Sequence, residues 1–139
     1  VSALALVGAM ACLFDLARQL TGDWRHGVLA AGFYAVTFDV AQGRAALGLS
    51  DGPATAWALG AGMALSRMRT WRGAAIAGLL LVAAVFTKQT MLLLVVASGV
   101  WVLFYRRRLL APLVGVTAVA GLGLAAWLIL STDGWFATY

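Results

Sequence analysis

Charge is scarce in this chain: 139 residues hold 10 Lys and Arg and only 5 Asp and Glu. With 63% hydrophobic residues and a mean hydropathy of +0.95, that scarcity excludes a soluble domain of ordinary composition. Cysteine occurs once, at Cys12, which excludes an internal disulfide and gives no metal-ligand spacing; it reads as a small residue in a helix. The lone histidine, His26, sits in a basic connection and reads as a solvated or headgroup-level imidazole rather than a metal ligand. There is no Ser-His-Asp set, no His-Glu-x-x-His and no phosphate-binding loop, so no complete catalytic constellation is visible. Gly121 and Gly123 lack the preceding strand and the third glycine of a nucleotide fingerprint.

What charge there is has a pattern. Arg18 and Arg25 form one cluster, Arg67, Arg69 and Arg72 a second, and Arg106, Arg107 and Arg108 a third, and these separate apolar stretches at every second connection. The remaining connections hold only Arg44 and Lys88 as cations, beside Asp39, Asp51 and Asp133. Short loops rich in Lys and Arg stay in the cytoplasm, so the three clusters predict an inner side and leave Arg44 and Lys88 outside. A net charge of +5 does not point to nucleic acid, because the arginines stand at the ends of apolar runs, where anionic headgroups are the partners.

A hydrocarbon core of about 30 Å needs about 20 helical residues. Six stretches approach this: 1–20, 27–40, 52–66, 73–86, 90–105 and 109–130. We therefore expect an all-α polytopic bundle of about six spans, forming a single transmembrane domain over 1–139. The second to fourth stretches are short, with apolar cores of about 14 residues, and must recruit flanking residues or thin the bilayer. A closed barrel would need alternating polar and apolar residues, which runs such as 79–86 and 91–96 lack. The connection 40–51 has room for a short interfacial helix or a broken end of the second span. Small residues such as Gly60, Gly62, Gly115 and Gly121 favour close helix packing. Trp24, Trp71, Trp101 and Trp135 fall near span ends, at headgroup level, whereas Trp57 and Trp127 lie deeper and are expected between helices. The first stretch has no basic region before it and no small-residue cleavage site, so it reads as a span and not a signal peptide. Because the chain opens on Val1 and ends closely after its last apolar run, an internal fragment is expected.

The candidates for chemistry lie on the sparsely charged side. Lys88 sits in Thr87-Lys88-Gln89-Thr90, between two apolar runs, in a connection almost too short to leave the membrane. An ammonium at the centre of a span costs about 2.5–3.5 kcal/mol, so it needs an anion or water, or must snorkel to the headgroups. Asp51, in Leu49-Ser50-Asp51-Gly52-Pro53, has the residue types of a helix cap, and a capping carboxylate can still meet a metal, a sugar hydroxyl or Lys88. Arg44 suits a phosphate's planar oxygens, or pairs with Asp39 or Asp51. Asp39 ends the second stretch, Asp133 reads as a turn residue before Gly134, and Asp15, near the inner face, either pairs with Arg18 or caps nothing in particular.

Taken in order, three motifs resemble the polytopic membrane glycosyltransferases of the GT-C type. The nearest are the bacterial branch of the protein mannosyltransferase and aminoarabinose transferase superfamily. Gly43-Arg44 leading to Leu49-Ser50-Asp51-Gly52-Pro53 is similar to that family's arginine and Ser-Asp-x-Pro element. The stretch 77–90, ending in Thr87-Lys88, resembles its Gly-Leu-rich helix ending in Thr-Lys. Thr132-Asp133-Gly134-Trp135-Phe136 resembles its Gly-Gly-Trp-Phe, with Asp133 in place of a frequent glycine. The resemblance implies transfer of a sugar from a polyprenyl-phosphate donor to a lipid, protein or glycan acceptor. The site would lie on the non-cytoplasmic face of the plasma membrane. Lys88, Arg44, Asp51 and Asp39 would bind substrate, and a divalent metal is an open possibility. The base would lie in a loop upstream of this chain, so the chain alone would be inactive. A transporter or permease fragment is the alternative from another class; transporters bury ionisable residues at mid-membrane, whereas these fall at one end.

Overall fold

The computed structural model describes residues 2–42 and 51–132, with side chains described at 3–37 and 52–132. Arg44 and Asp133 therefore lie outside the described residues, as does most of the connection 40–51, and only the backbone is described at Asp39 and Asp51. The described chain is all-α. Its helices are α1 (Ser2–Thr21), α2 (Trp24–Gln42), α3 (Asp51–Arg67), α4 (Trp71–Thr87), α5 (Leu92–Tyr105) and α6 (Leu110–Ser131). The 3-10 turns Gln89–Met91 and Arg107–Leu109 precede α5 and α6. The three short stretches extend as expected into their flanks, α2 taking in Trp24, Arg25 and His26, and α4 taking in Trp71 and Arg72.

The connections between basic ends are tight and locally encoded. Gly22, at φ 75°, takes the left-handed conformation that ends α1, and its N–H donates to the Arg18 carbonyl at 2.9 Å. Asp23 then caps α2 by accepting from the Arg25 backbone N–H at 2.9 Å. Thr70, extended at φ −129° and ψ 162°, caps α4, its Oγ1 accepting from the Gly73 N–H at 3.4 Å.

Helices pack through small residues. Among the described residues the buried apolar set includes Ala9, Ala54, Ala61, Ala74, Ala77 and Ala84, joined by Leu65, Met68, Leu81, Val102 and Leu113. α3 and α4 run antiparallel, with Gly60 against Leu80 midway along the pair and Met68 against Gly73 at the connecting turn. α4 and α6 run parallel: a Cβ on Gly78 would stand 2.9 Å from Thr117 Oγ1 and 3.3 Å from the Leu113 carbonyl. α1 packs between α2 and α3, and α2 approaches so closely that a Cβ on Gly27 would lie 2.7 Å from the Phe14 carbonyl. α5 makes the slightest contact with the other helices, and buries Ser98 and Val102.

Large side chains point the other way. Leu4 is 81% exposed, Phe33 74%, Leu93 77%, Val119 75% and Leu130 79%. Apolar exposure of this extent marks contact with a membrane or a partner. Two helical stretches, Ala3–Thr21 and Arg107–Ser131, are long and apolar enough to cross a membrane, and Trp71–Thr87 and Gln89–Tyr105 are shorter apolar helices. Both deep tryptophans depart from expectation, Trp57 being 43% exposed. Trp127 does not pack between helices; it is 61% exposed, because the face of α6 that meets α4 is set by Leu113, Thr117 and Gly121, and position 127 falls off that stripe.

The close α4–α6 approach makes a directional prediction. Gly78→Ala should lower unfolding stability in detergent by about 1–3 kcal/mol, because Thr117 and the α6 backbone must yield. Gly123→Ala, with nothing within 4 Å of its added carbon, should be neutral or slightly stabilising. Equal stability of the two variants would contradict this helix pairing.

Candidate functional site

Lys88 is the hinge between α4 and α5. It is a single extended residue, at φ −151° and ψ 115°, between the last turn of α4 and the 3-10 turn Gln89–Met91. Its N–H donates to the Ala84 carbonyl and its own carbonyl accepts from the Met91 N–H, both at 2.9 Å. Thr87 Oγ1 donates to the Ala83 carbonyl at 2.7 Å. The Lys88 side chain is half-buried.

Extending the antiparallel register of α3 and α4 past Gly60 and Leu80 carries Lys88 to the level of Gly52 and Pro53, where α3 begins. Asp51 is the first residue of α3, so the backbone brings Asp51 and Lys88 to one end of this helix pair. Asp39 stands in the last turns of α2, which runs antiparallel to α1.

An apolar groove of about 430 Å³ opens between α1, α3 and α4. Its rim at this same end is Leu4 and Pro53; Gly8 and Gly60 thin its walls, Trp57 flanks it and Leu80 closes it from α4. Hydrocarbon suits such a lining. The groove is a tertiary feature of three helices. Its only sequence trace is the placement of Gly8 and Gly60, where missing side chains leave space.

The opposite end collects the arginine clusters. Asp15 pairs with Arg67, and this corrects the expected pairing with Arg18. α1 and α3 run parallel here, which sets their last turns side by side and brings a guanidinium 52 positions away into reach. Gln19 Nε2 donates to the same Asp15 oxygen at 2.6 Å, and Ser66 Oγ donates to Gln19 Oε1 at 3.4 Å. Arg106 completes the link by donating to the Ser66 carbonyl at 3.3 Å. The three clusters thus share one end of the bundle, with Lys88 at the other.

Among the described residues no three of His, Cys, Asp or Glu stand together as metal ligands. No protein-family model, curated protein or solved structure matches the chain.

The separation of the two ends is open to direct labelling. In a Cys12→Ala background, Gln89→Cys and Arg108→Cys mark the Lys88 end and the arginine end. An impermeant maleimide added to sealed inside-out membrane vesicles is expected to label position 108 and spare position 89, with the reverse in right-side-out vesicles. Labelling of both positions from one face would refute a transmembrane placement of α5 and α6.

Proposed function

We propose that this chain belongs to a multi-pass membrane glycosyltransferase of the GT-C type, with all six helices crossing the bilayer and the arginine end cytoplasmic. Its donor would be a polyprenyl-phosphate-linked sugar. The observation that carries this is the juxtaposition of an apolar groove with Lys88 and Asp51 at one end of the bundle. A polyprenyl phosphate has the same two-part chemistry: a hydrocarbon tail for the groove and an anionic head for the ammonium at the same end of the bundle.

When the glycosidic bond to phosphate breaks, negative charge develops on the leaving phosphate oxygen. A cation held at that end of the bundle lowers the energy of that charge more than it does the ground state. Lys88 takes that role, with Arg44 as a second, bidentate partner for the phosphate. Asp51 and Asp39 are the carboxylates assigned to this end, suited to holding a sugar hydroxyl or a divalent cation. The acceptor, whether lipid, protein or glycan, would approach from the non-cytoplasmic side. The outward-facing Phe33, Leu93 and Val119 would meet lipid.

Binding separates head from tail. The chain in detergent micelles is expected to bind a polyprenyl phosphate, followed by tryptophan fluorescence, and Lys88→Ala should weaken this about tenfold or more, the worth of one charge-assisted hydrogen bond. The uncharged polyprenol of the same length should bind Lys88→Ala and the unaltered chain alike, whereas Gly60→Leu, which fills the groove, should weaken both ligands. Phosphate binding that ignores Lys88→Ala would remove Lys88 from the site, and binding that ignores Gly60→Leu would remove the groove.

A further inference from the structure

The arginine end carries a second feature that the donor site does not use. Between the α3–α4 turn and the α5–α6 turn lies a cleft of about 580 Å³. Arg69, Thr70 and Trp71 line one side; Tyr105 and the run Arg106, Arg107 and Arg108 line the other, over a floor of buried Met68. Two connections far apart in sequence therefore deliver four guanidinium groups to one concavity, and among the described residues no carboxylate lines it.

The acidic side chains described at this end are committed elsewhere. Asp15 is held by Arg67 and Gln19, and Asp23 caps α2. Two of the arginines are oriented within the chain: Arg106 donates to the Ser66 carbonyl and lies 5.9 Å over the Trp101 ring, and Arg107 Nε donates to the Leu103 carbonyl at 3.1 Å. A guanidinium has five N–H donors, so each keeps donors for an external anion. Like charges gathered in one cleft repel, and an anion bound among them relieves that repulsion.

The surroundings select the kind of anion. The cleft walls run directly into exposed apolar surface, with Phe104 68% exposed, Tyr105 74% and Trp71 64%. Trp and Tyr beside arginines at the end of an apolar helix are the furniture of a headgroup layer. A free phosphate would use the guanidinium groups and leave those rings idle; a phospholipid uses both.

We infer that this cleft is a binding site for the phosphate headgroup of an anionic glycerophospholipid of the cytoplasmic leaflet, its acyl chains lying along α5 and the start of α6. The inference rests on the membrane placement proposed above and not on the transferase activity. The bound headgroup bridges the α3–α4 and α5–α6 turns, and so braces α5, the helix with the slightest contact with the rest of the bundle.

Native mass spectrometry of the chain, released from micelles containing equal phosphatidylglycerol and phosphatidylcholine, tests this. One phosphatidylglycerol is expected to be retained in clear preference to phosphatidylcholine. Arg69→Gln and Arg108→Gln should each reduce that preference about fivefold, while Arg108→Lys should keep most of it, which separates loss of charge from loss of fold. Arg18→Gln, which removes the same charge at the same end outside the cleft, should leave the preference unchanged. An equal loss with Arg18→Gln would overturn the site in favour of a diffuse surface potential. Displacement of the lipid by millimolar glycerol 3-phosphate would overturn the lipid as occupant in favour of a soluble phosphate ester. The outcome is independent of Lys88→Ala, whose effect bears on the donor site alone.

Discussion

Close approach of helices through alanine and glycine is the constraint on which the rest of this structure depends. A soluble bundle holds together by turning its large apolar side chains inward, each worth about 1.5–3 kcal/mol when taken out of water. Here that arrangement is inverted: Ala61, Ala74 and Ala77 are buried, while Phe33, Leu93, Val119 and Leu130 face out. Burying alanine gains little transfer free energy, so cohesion comes from dispersion between backbones brought near each other. The contact of Gly78 with Thr117 and that of Gly27 with Phe14 are the places where that approach is tightest. A medium that favours outward leucine and phenylalanine is what makes such a bundle sensible.

The same constraint drives polar groups to the ends. Helices that touch through small residues leave no room between them for a hydrated side chain, and the outward positions along their length are largely taken by apolar side chains. Most polar chemistry is then sorted by helix end, and the 17 residues of α4 set the two ends about 26 Å apart. At one end the sorting yields a linked set, Asp15, Arg67, Gln19, Ser66 and Arg106, that fastens α1, α3 and α5 together. At the other it leaves Lys88 in a connection of one extended residue.

Much of the helical framework was legible in the sequence, for a physical reason: apolar run length and basic punctuation are one-dimensional properties, and in this chain they mark where helices begin and end. The six expected stretches match the six described helices to within a few residues. What was not legible depends on how helices lie against each other. Arg18 is three positions from Asp15 and looked like its partner, but parallel α1 and α3 offered Arg67 instead. Trp127 was expected inside because it is deep in its stretch; depth along a helix says nothing about which face a residue occupies. The groove beside Leu4, Gly8 and Gly60 needs three helices in register, and two glycines far apart in sequence do not announce it. Of the four candidate binding residues, Lys88 alone has a described side chain, while Asp51 and Asp39 are placed by their backbone and Arg44 lies outside the described residues.

α5 shows how these considerations combine. Most of its length is apolar and outward, with Ser98 and Val102 its only buried residues, so side-chain packing along its axis holds it weakly. It is secured at its two ends. At one, Lys88 gives it a connection too short to swing freely from α4; at the other, Arg106 ties its last turn to the Ser66 carbonyl of α3. A helix fixed at its termini and loose along its flank responds most to whatever binds at those termini. The one-residue hinge borders the apolar groove's end of the bundle, and the arginine tie lines the basic cleft, so the two places proposed to bind an anion are also the two places where α5 is held.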